Sequence, residues 1–456
     1  MNRASIIAVT AAALTLSACG ATRSVYDTPT PVAPVQSAWS QPGLPPTAQS
    51  GDWWSRFDDP ALDALVLEVL DRNQDLAAAG LRLRQARAQA DLTASRQAPI
   101  LSGGGNASAS RPFESGPTQR SYDLSEGLSW EVDLWDRLGA QTDAARWEAA
   151  ATAEDLAATR LSLIGATVDL YVQLGYLNER LTLAEASLEA ARRRQALVQA
   201  RYRAGEESGL AIQETRENLA TQQAAMSQLT QQRVEARNAL GLLLGTGHGA
   251  VRPDERQRVS DLSAPVPDAG APAELLARRP DLRAAEARLR GVLAEVDATR
   301  ASFYPTLSLT GSAGGASTSL GDLLSNPVGS VAAALSLPFL DAAGQRFTNA
   351  AARAGYEGAR LGFQQTLITA LSEVESALSA GRELALQEAQ FDEALDAARR
   401  AEAMNEARYR AGAAALRDVL DSQDRRRAAE RAVLDNQLAR LAASVDLYLA
   451  LGGDAA

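Results

Sequence analysis

Several residue types are scarce in this 456-residue chain, and each scarcity excludes a class of protein. With one cysteine and one histidine, neither an internal disulfide nor a site of several Cys and His metal ligands can form. A net charge of -11 argues against nucleic acid as a partner, because no basic face is available to replace counterions on phosphates. After residue 19 no apolar run approaches the roughly 20 residues that a spanning helix needs. Catalytic motifs are also missing, so we expect neither an enzyme nor a cofactor.

The N-terminus has the pattern of a secretory signal that ends at the single cysteine. A basic start is followed by an apolar run from Ile6 to Leu16, which is too short to span a membrane. Leu16-Ser17-Ala18-Cys19 matches the lipobox of bacterial lipoproteins, in which the cysteine is acylated and becomes the new N-terminus. We predict a signal peptide at 1–18 and diacylglycerol and N-acyl lipid on Cys19. We also predict sorting to the outer membrane, since Gly20 follows the cysteine at the position where an aspartate would favour retention at the inner membrane. The alternative is an ordinary signal peptide that happens to contain a cysteine.

Proline marks the organisation of the rest of the chain. It is absent from residues 118–252 and from residue 339 onward, so two very long stretches are free to form uninterrupted helix. Residues 19–51 are rich in Pro, Ser, Thr and Gln, which is typical of a flexible tether. Residues 246–272 have a similar character, and we interpret them as an equatorial linker between two halves.

The two halves are repeats of one unit. Arg201-Tyr202-Arg203-Ala204-Gly205 recurs as Arg408-Tyr409-Arg410-Ala411-Gly412, and matches at an offset of 206 to 207 residues, such as Pro99 with Pro305, run through both halves. The offset is far longer than that of a solenoid repeat, which favours a single duplication. We assign residues 52–245 to the first repeat and 273–456 to the second.

Each repeat contains two short segments in which apolar and polar residues alternate. The alternation is clearest from Tyr122 to Leu134, where only Glu126 breaks it. Strands of about ten residues with one apolar face are typical of outer membrane barrels, although a soluble hairpin packed on a helix remains an alternative. The predicted strands lie at about 100–110, 122–134, 305–313 and 330–339.

Four strands in one chain cannot close a barrel, and open edges leave backbone groups unpaired in lipid. Oligomerisation is therefore required if the strands cross a membrane. Two chains would supply eight strands, whose interior is filled by side chains, whereas three would supply twelve and leave a water-filled lumen. We favour a homotrimer.

Long helices with a coiled-coil pattern follow the strands. Leu163, Leu170 and Leu177 lie on one row of a heptad pattern after the first strand pair. A helix over residues 141–202 would measure about 90 Å at 1.5 Å per residue. Returning helices are predicted at 209–244 and 415–451, with Gly205 and Gly412 at the tips of the two hairpins.

This arrangement resembles the TolC-type outer membrane factors, and the lipobox places it beside the NodT- and OprM-like efflux lipoproteins. The resemblance covers essentially the whole mature chain. It rests on the duplicated order of elements, on Phe303-Tyr304-Pro305 before the third strand, and on the paired tips at Gly205 and Gly412. It implies a mainly α chain with a small β portion, which forms a trimeric 12-stranded membrane β-barrel continuous with a long α-helical coiled-coil periplasmic tunnel.

The resemblance also implies a function and partners. A lipid-anchored channel of this kind lies in the outer membrane, extends into the periplasm and acts as a passive exit duct for drugs or other toxic small molecules. A periplasmic adaptor docks at the hairpin tips, Gly205 and Gly412, and couples the channel to an inner membrane pump. A type I protein secretion duct and a non-channel envelope coiled-coil lipoprotein remain alternatives.

A periplasmic gate is implied by one matching segment. Asp418-Val419-Leu420-Asp421 matches the family's Asp-Val-Leu-Asp segment beyond the second tip, and the two aspartates share a helix face. In a trimer they would form two stacked rings of carboxylates that attract cations. The alternative is two solvated acids on a charged helix.

Tyr409 precedes Gly412 by three residues, as does a tyrosine that helps to fasten the closed state in the family. Two departures show that the fastening must differ here, because Ala211 and Ala414 stand where the TolC type has an aspartate and an arginine. Which residues replace the missing aspartate and arginine stays open. The basic candidates are Arg201, Arg203, Arg408 and Arg410.

Overall fold

The computed structural model describes residues 23–27, 39, 52–113, 116–249, 252, 255–267, 269–270 and 272–453. Cys19, the predicted signal peptide and most of the predicted tether lie outside these residues. The chain divides into two compact units. The strand unit contains Leu81–Asp155 and Asp281–Thr366 together with the described residues 23–27. The helical unit contains the described residues within Ala33–Gly80, Leu156–Pro280 and Leu367–Ala456.

Helices make up most of the described residues, as predicted. The α-helices are α1 Pro60–Arg72, α2 Gln74–Ser95, α3 Arg137–Arg203, α4 Gly209–Leu243, α5 Leu275–Arg278, α6 Pro280–Ala301, α7 Ala342–Arg410 and α8 Leu416–Ala450. Short 3₁₀ helices lie at Trp53–Phe57, Val259–Asp261, Pro272–Glu274, Leu320–Asp322 and Pro338–Leu340. None of the helices in the described part of the chain combines the length and the apolar character needed to cross a membrane.

The first long helix begins four residues before the predicted start. Asp133 accepts hydrogen bonds from the backbone N–H groups of Arg137, at 2.7 Å, and of Gly139, at 2.8 Å. These bonds satisfy donors that a helix start leaves without intrahelical partners. Without an internal proline, α3 and α7 then continue for 67 and 69 residues.

The strands form one antiparallel sheet in the order β1-β2-β3-β4, which confirms the prediction of four strands per chain. They are β1 Ile100–Ser110, β2 Gln119–Val132, β3 Thr306–Ser317 and β4 Val328–Ser336. The predicted ends of β1 are confirmed, whereas those of β2, β3 and β4 were wrong by one to four residues. β4 ends at Ser336 because Pro338 has no N–H to donate and starts a 3₁₀ helix instead.

The helical unit has an apolar core around the first described residues after the tether. Trp53, 2% exposed, stacks on Tyr448 with ring centroids 4.8 Å apart. Leu62, Val66 and Leu441 are fully buried in the same cluster. Burial of large aromatic and aliphatic side chains is the main driving force for this packing.

The predicted linker is held to the helices by buried polar bonds. Glu255 accepts from Arg237 at 2.8 Å and from Asn178 at 2.7 Å. Burial favours the neutral acid, but the hydrogen bonds outweigh it and lower the pKa of Glu255. Asp59 accepts from Tyr171 at 2.7 Å and from Arg256 at 3.0 Å. The segment around 255–261 is therefore an ordered part of the helical unit.

Candidate functional site

Both hairpin tips have the same backbone. Gly205 and Gly412 adopt φ values of 78° and 74°, in the left-handed region that favours glycine. Glu206 N–H donates to the Arg201 carbonyl at 2.9 Å, and Ala413 N–H donates to the Arg408 carbonyl at 2.8 Å. This Schellman pattern ends α3 and α7, so the glycines stand where the sequence places the tips.

The two returning helices begin differently. In the first hairpin the Ser208 side chain accepts from the Ala211 N–H at 3.2 Å. In the second hairpin Ala415 takes the position of the serine, and the Asp418 carboxylate accepts from the Ala415 N–H at 3.1 Å. Asp418 therefore stabilises the start of α8 as well as being exposed on its surface. Asp421 is also exposed, three residues further along the same helix.

The Tyr409 hydroxyl of the second hairpin forms a hydrogen bond with the first hairpin. The half-buried Tyr409 donates to Glu207 Oε1 at 2.5 Å. The Arg201 guanidinium lies 5.2 Å from the centre of the Tyr409 ring and 4.0 Å from the Glu207 carboxylate. Burial, together with the bond to Glu207, raises the pKa of Tyr409. The three side chains form a polar cluster, which we call the tip latch.

The tyrosine of the second hairpin bonds to an acid of the first, but the reverse pair is missing. Glu207 and Ala414 occupy matching places in the two repeats, as do Tyr202 and Tyr409. Because Ala414 has no carboxylate, Tyr202 lacks the acid that its counterpart has in Glu207, and its side chain is 51% exposed. Glu207 was not among the residues predicted from the sequence. The signal available was an acid in the first tip at the repeat position of an alanine in the second.

Among the four basic candidates, Arg201 is the one that joins the latch. Arg410 instead pairs with Glu406 of its own helix at 3.1 Å, and Arg203 and Arg408 are exposed. Arg201 is therefore the candidate that contacts both Tyr409 and Glu207, and its role as a substitute for the missing pair stays a prediction. Arg201 acts through the tyrosine ring and Glu207 together.

Apolar contacts lie beneath the latch. Val198 and Ala211 of the first hairpin pack with Leu416 and Leu420 of the second, and all four are buried. An aspartate at position 211, which is 4% exposed, would leave its charge buried beside leucines. This packing gives a physical reason for alanine at a place where the TolC type has an acid.

A partly buried ionic layer joins the same helices further from the tips. Arg194 of α3 hydrogen-bonds to Gln423 of α8 and pairs with Glu406 of α7 at 3.2 Å. Burial lowers the pKa of Arg194 despite the neighbouring acids. Arg426 pairs with Glu402. Breaking such a layer would leave charges uncompensated, so it favours one arrangement of the three helices.

The two faces of the sheet differ in polarity. Trp130, Leu309 and Ala333 lie opposite one another across three strands, and so do Leu128, Gly311 and Val331. The reverse face carries the hydroxyl residues Ser102, Ser108, Ser121, Ser125, Ser129, Thr306, Ser308, Thr310, Ser312, Ser330 and Ser336.

The apolar face is also exposed in the single chain. Val331 is 91% exposed, Leu101 73% and Leu335 63%. The charged residues on this face are Glu126, opposite Gly103 and Ala313, and Arg120, opposite Ala109. A sheet with one exposed apolar face and one hydroxyl-rich face suits a boundary between lipid and water.

We find no candidate metal site in the described part of the chain. The residues that the structure describes contain no group of three or more His, Cys, Asp and Glu placed to hold an ion.

Comparisons with known proteins agree with this architecture. The model of the family "Outer membrane efflux protein" matches residues 65–246 and 271–453. The pyoverdine export outer membrane protein OpmQ of Pseudomonas putida is 32% identical over 443 residues, which cover 93% of this chain and 94% of OpmQ. A crystal structure of CusC superposes with a TM-score of 0.84 at 27% identity and covers 94% of this chain and 99% of that one. The open state of the MtrE outer membrane channel of Neisseria gonorrhoeae superposes with a TM-score of 0.80 at 27% identity, over 95% and 98% of the two chains.

These matches extend over both repeats and over the helices and strands alike. They confirm the resemblance inferred from the tips, the strand pattern and the duplication. They also place the chain's function in efflux at the outer membrane. The chain belongs to the outer membrane efflux protein family.

Proposed function

We propose that the chain is the outer membrane component of a tripartite efflux system and acts as a passive exit duct for small molecules. An inner membrane pump would deliver the substrate through a periplasmic adaptor. The family is one of transport channels and not of enzymes, and the relative OpmQ is named for the export of pyoverdine. Export of a small molecule by a relative favours small-molecule efflux over protein secretion.

Three chains would assemble through the sheet. β1 and β4 are the edges of the four-stranded sheet, and each edge presents backbone groups without a partner in the chain's own sheet. Joining β1 of one chain to β4 of the next, three times, would close a barrel of twelve strands and leave a water-filled lumen. The exposed apolar face would then meet lipid and the hydroxyl-rich face would line the lumen. The strands also argue against the strand-free spacer alternative.

The hairpin tips would form the periplasmic entrance. The tip latch and the apolar contacts beneath it hold the two hairpins of one chain together, which suits a closed state. The structurally similar MtrE channel has been crystallised in an open state. We propose that adaptor docking near Gly205 and Gly412 separates Tyr409 from Glu207, so that the rings formed by Asp418 and Asp421 widen.

The lipid would hold the assembly at the outer membrane. Acylation of Cys19, outside the described residues, stays a prediction that rests on the lipobox. Mass spectrometry of the mature N-terminus tests it directly. A peptide that begins at Cys19 with diacylglycerol and N-acyl mass is expected, and an unmodified cysteine would contradict the anchor.

The observation that supports the gate best is the exposure of both aspartates on the first turns of α8, beside the tip latch. The test is planar bilayer conductance of the purified protein and of the double variant Asp418→Asn, Asp421→Asn. Loss of the carboxylate rings should abolish cation preference. Asparagine keeps an oxygen that can accept the Ala415 N–H, so the helix start is retained.

A matched control is the double variant Asp392→Asn, Asp396→Asn, because these two aspartates are exposed on one face of α7 and away from the tips. It removes the same charge and should leave ion preference unchanged. If the tip variant and the control variant both kept the wild-type preference, the gate assignment would be wrong. A protein that gave no conductance at all would contradict the channel.

A further inference from the structure

Residues 23–26 lie in a site on the strand unit, four residues beyond the predicted lipid-bearing cysteine. Arg23 pairs with Asp136 and donates to Asp143 at 2.7 Å. The Ser24 backbone N–H and hydroxyl donate to the two oxygens of Asp297 at 2.8 and 2.6 Å. Two adjacent residues therefore contact three carboxylates by four polar bonds.

The Asp297 carboxylate depends on this segment. It is 4% exposed, and besides Ser24 its partner is Arg300 at 3.6 Å. Hydrogen bonds to a charged carboxylate are stronger than neutral ones, so undocking of the segment loses two strong bonds. Burial works against the charge of Arg23, but its bonds to Asp136 and Asp143 raise the pKa of the guanidinium. The charges of Arg23 and of the carboxylates that contact the segment therefore both favour the docked segment.

Tyr26 adds an aromatic contact to the polar ones. The Arg290 guanidinium lies 4.4 Å from the centre of the Tyr26 ring and 5.0 Å from that of Trp147. A cation within about 6 Å of an aromatic ring centre is attracted to that ring, and Arg290 meets this condition for both rings. Burial, together with the nearby Glu286, raises the pKa of Tyr26 to about 12, so the phenol stays neutral at any physiological pH.

The repeat offers an internal comparison. Asp341 of the second repeat caps its own helix by accepting from the Gly344 N–H at 2.9 Å. Asp136 of the first repeat likewise stands directly before a long helix, but it binds Arg23, and Asp133 accepts from the Gly139 N–H instead. Asp136 also adopts φ 60°, an uncommon conformation for a residue other than glycine. The aspartate that precedes the long helix therefore has a different partner in the half that meets the N-terminal segment.

The contacted residues stand at the base of the two central strands. Asp136 follows β2 and begins α3, whereas Asp297 lies near the end of α6, just before β3. β2 and β3 pair with each other down to Val132 and Leu307. Arg23 and Ser24 therefore connect the base of one central strand to the base of the other.

A second tie spans the same gap without the N-terminal segment. Trp135 stacks on Tyr304 at 4.9 Å and donates to the Pro305 carbonyl at 2.8 Å. The segment thus adds a polar connection beside an aromatic one, at the level where the strands give way to helices. Aromatic side chains at such a level are typical of a membrane interface.

We propose that residues 23–26 are an intramolecular clasp that must dock at Asp136, Asp143 and Asp297 before three sheets can join into a barrel. Four peptide units separate Cys19 from Arg23, so the docked clasp keeps the two Cα atoms within about 14 Å of each other. The lipid would therefore enter the membrane beside the base of the sheet. The assembly role of the clasp rests on the proposed trimeric channel. Its docking at the three aspartates does not.

The experiment compares full-length protein with the variants Arg23→Gln and Asp143→Asn. Asp143→Asn alters the site from the helix side and leaves the residues near the lipid untouched. Hydrogen exchange at the Ser24 amide should accelerate about tenfold in each variant, because a charged hydrogen bond that holds the segment is lost. The fraction of trimer that resists detergent should fall in parallel.

The control variant is Asp155→Asn, on the same helix α3, whose carboxylate pairs with Arg288 away from the clasp. It should leave both measurements at the wild-type value. Wild-type exchange at Ser24 in both clasp variants would overturn the docking. Faster exchange with an unchanged trimer fraction would overturn the assembly role. If the wild-type protein formed no trimer, the proposed channel would fail, and the exchange measurement would still decide whether the clasp docks.

Discussion

Tyr409 and Glu207 are connected by a single hydroxyl group, although they lie in different repeats of the chain. The bond combines a neutral donor with a carboxylate, and Arg201 lies over the ring at 5.2 Å. Hydrogen bonds to charged groups are stronger than neutral ones. Because its side chains are only partly exposed, Arg201 to 30% and Glu207 to 15%, the latch biases the two hairpins toward contact.

We predict that Tyr409→Phe opens the channel more often. The substitution keeps the ring and removes the bond to Glu207, whose loss at a partly exposed site costs about 1 kcal/mol. That figure corresponds to roughly a fivefold rise in open probability in single-channel recordings.

Tyr202→Phe is the matched control, because Tyr202 holds the same place in the first repeat and is 51% exposed. It makes the same chemical change without touching the tip latch and should leave open probability unchanged. Equal effects of the two substitutions, or no effect of either, would show that the latch does not hold the closed state.

A second residue makes stability depend on pH. Burial of Asp169 in α3, together with the nearby Asp446, raises the pKa of Asp169 to about 6. In the unfolded chain the pKa is about 4. The folded state therefore binds the proton more readily, so its stabilising effect is complete below about pH 4 and is lost as pH rises through about 6.

We predict that Asp169→Asn stabilises the protein at pH 7.5 by on the order of 2 kcal/mol and has little effect at pH 4. The midpoint of thermal unfolding at the two pH values measures this difference. Asp396→Asn, at an exposed position of α7, should shift neither midpoint. An equal shift at both pH values for Asp169→Asn would mean that the titration of this carboxyl is not the cause.

At the scale of the elements, the hairpin turn depends on a backbone that most residues avoid. Gly205 has φ 78°, whereas Gly209, four residues later in the same tip, is not in the left-handed region, and a Cβ there meets nothing within 4 Å. Gly205→Ala should cost about 1–2 kcal/mol. Gly209→Ala, at the start of α4, should be neutral or stabilise the helix by up to about 1 kcal/mol.

Hydrogen exchange at the Glu206 amide, which closes the turn on the Arg201 carbonyl, distinguishes these two substitutions. Exchange should accelerate about fivefold or more in Gly205→Ala, and it should stay level or slow in Gly209→Ala. Similar acceleration in both variants would mean that helix propensity, and not the turn conformation, limits the tip.

Local signals were enough to predict most elements. The absence of proline, the heptads and the tip glycines predicted two long hairpins, and alternation predicted four strands. The ends were less predictable, because they depend on side-chain bonds such as those from Asp133 and on the break at Pro338. Alternation alone could not say that Gln119 belongs to β2, since its pairing with Ser110 is a property of the sheet.

The candidate site was predictable in part. Repeat matching located Gly205, Gly412 and Tyr409, but the partner of Tyr409 lies 202 residues away in sequence. Which side chains meet across two hairpins depends on their relative register, and one sequence does not contain that information. The helix-starting role of Asp418 was missed for a related reason, because an acid at this position suits a cap and a gate equally well.

At the scale of the whole molecule, the two edges of the sheet need strands from other copies of the chain as partners. Its interior strands are paired along their length, whereas β1 and β4 each have one neighbour. In a lipid environment unpaired backbone groups cost several kcal/mol each. Pairing the two edges of different chains would remove this cost and, in the proposed barrel, would turn the exposed residues Leu101, Val331 and Leu335 toward lipid.

We predict that cysteines on the two edges form disulfides between chains. Ala332 of β4 would be paired in turn with Gly104, Asn106 and Ser108 of β1, since all four residues lie on the hydroxyl-rich face. In a closed trimer one of the three combinations brings the thiols within the roughly 4 Å between Cβ atoms that a disulfide requires. Mild oxidation should then yield covalent dimers and trimers on a denaturing gel.

The control pairs Ala332→Cys with Ser125→Cys, because Ser125 lies on the same face but in the interior strand β2. A barrel closed through its edges keeps this strand away from β4 of the neighbouring chain, so no ladder should form. Covalent trimers from an edge pair and none from the interior pair would establish both the direction of strand addition and the number of chains. A ladder that stops at dimers, or one that forms equally from Ser125, would contradict closure by three edge-to-edge contacts and favour association through some other surface.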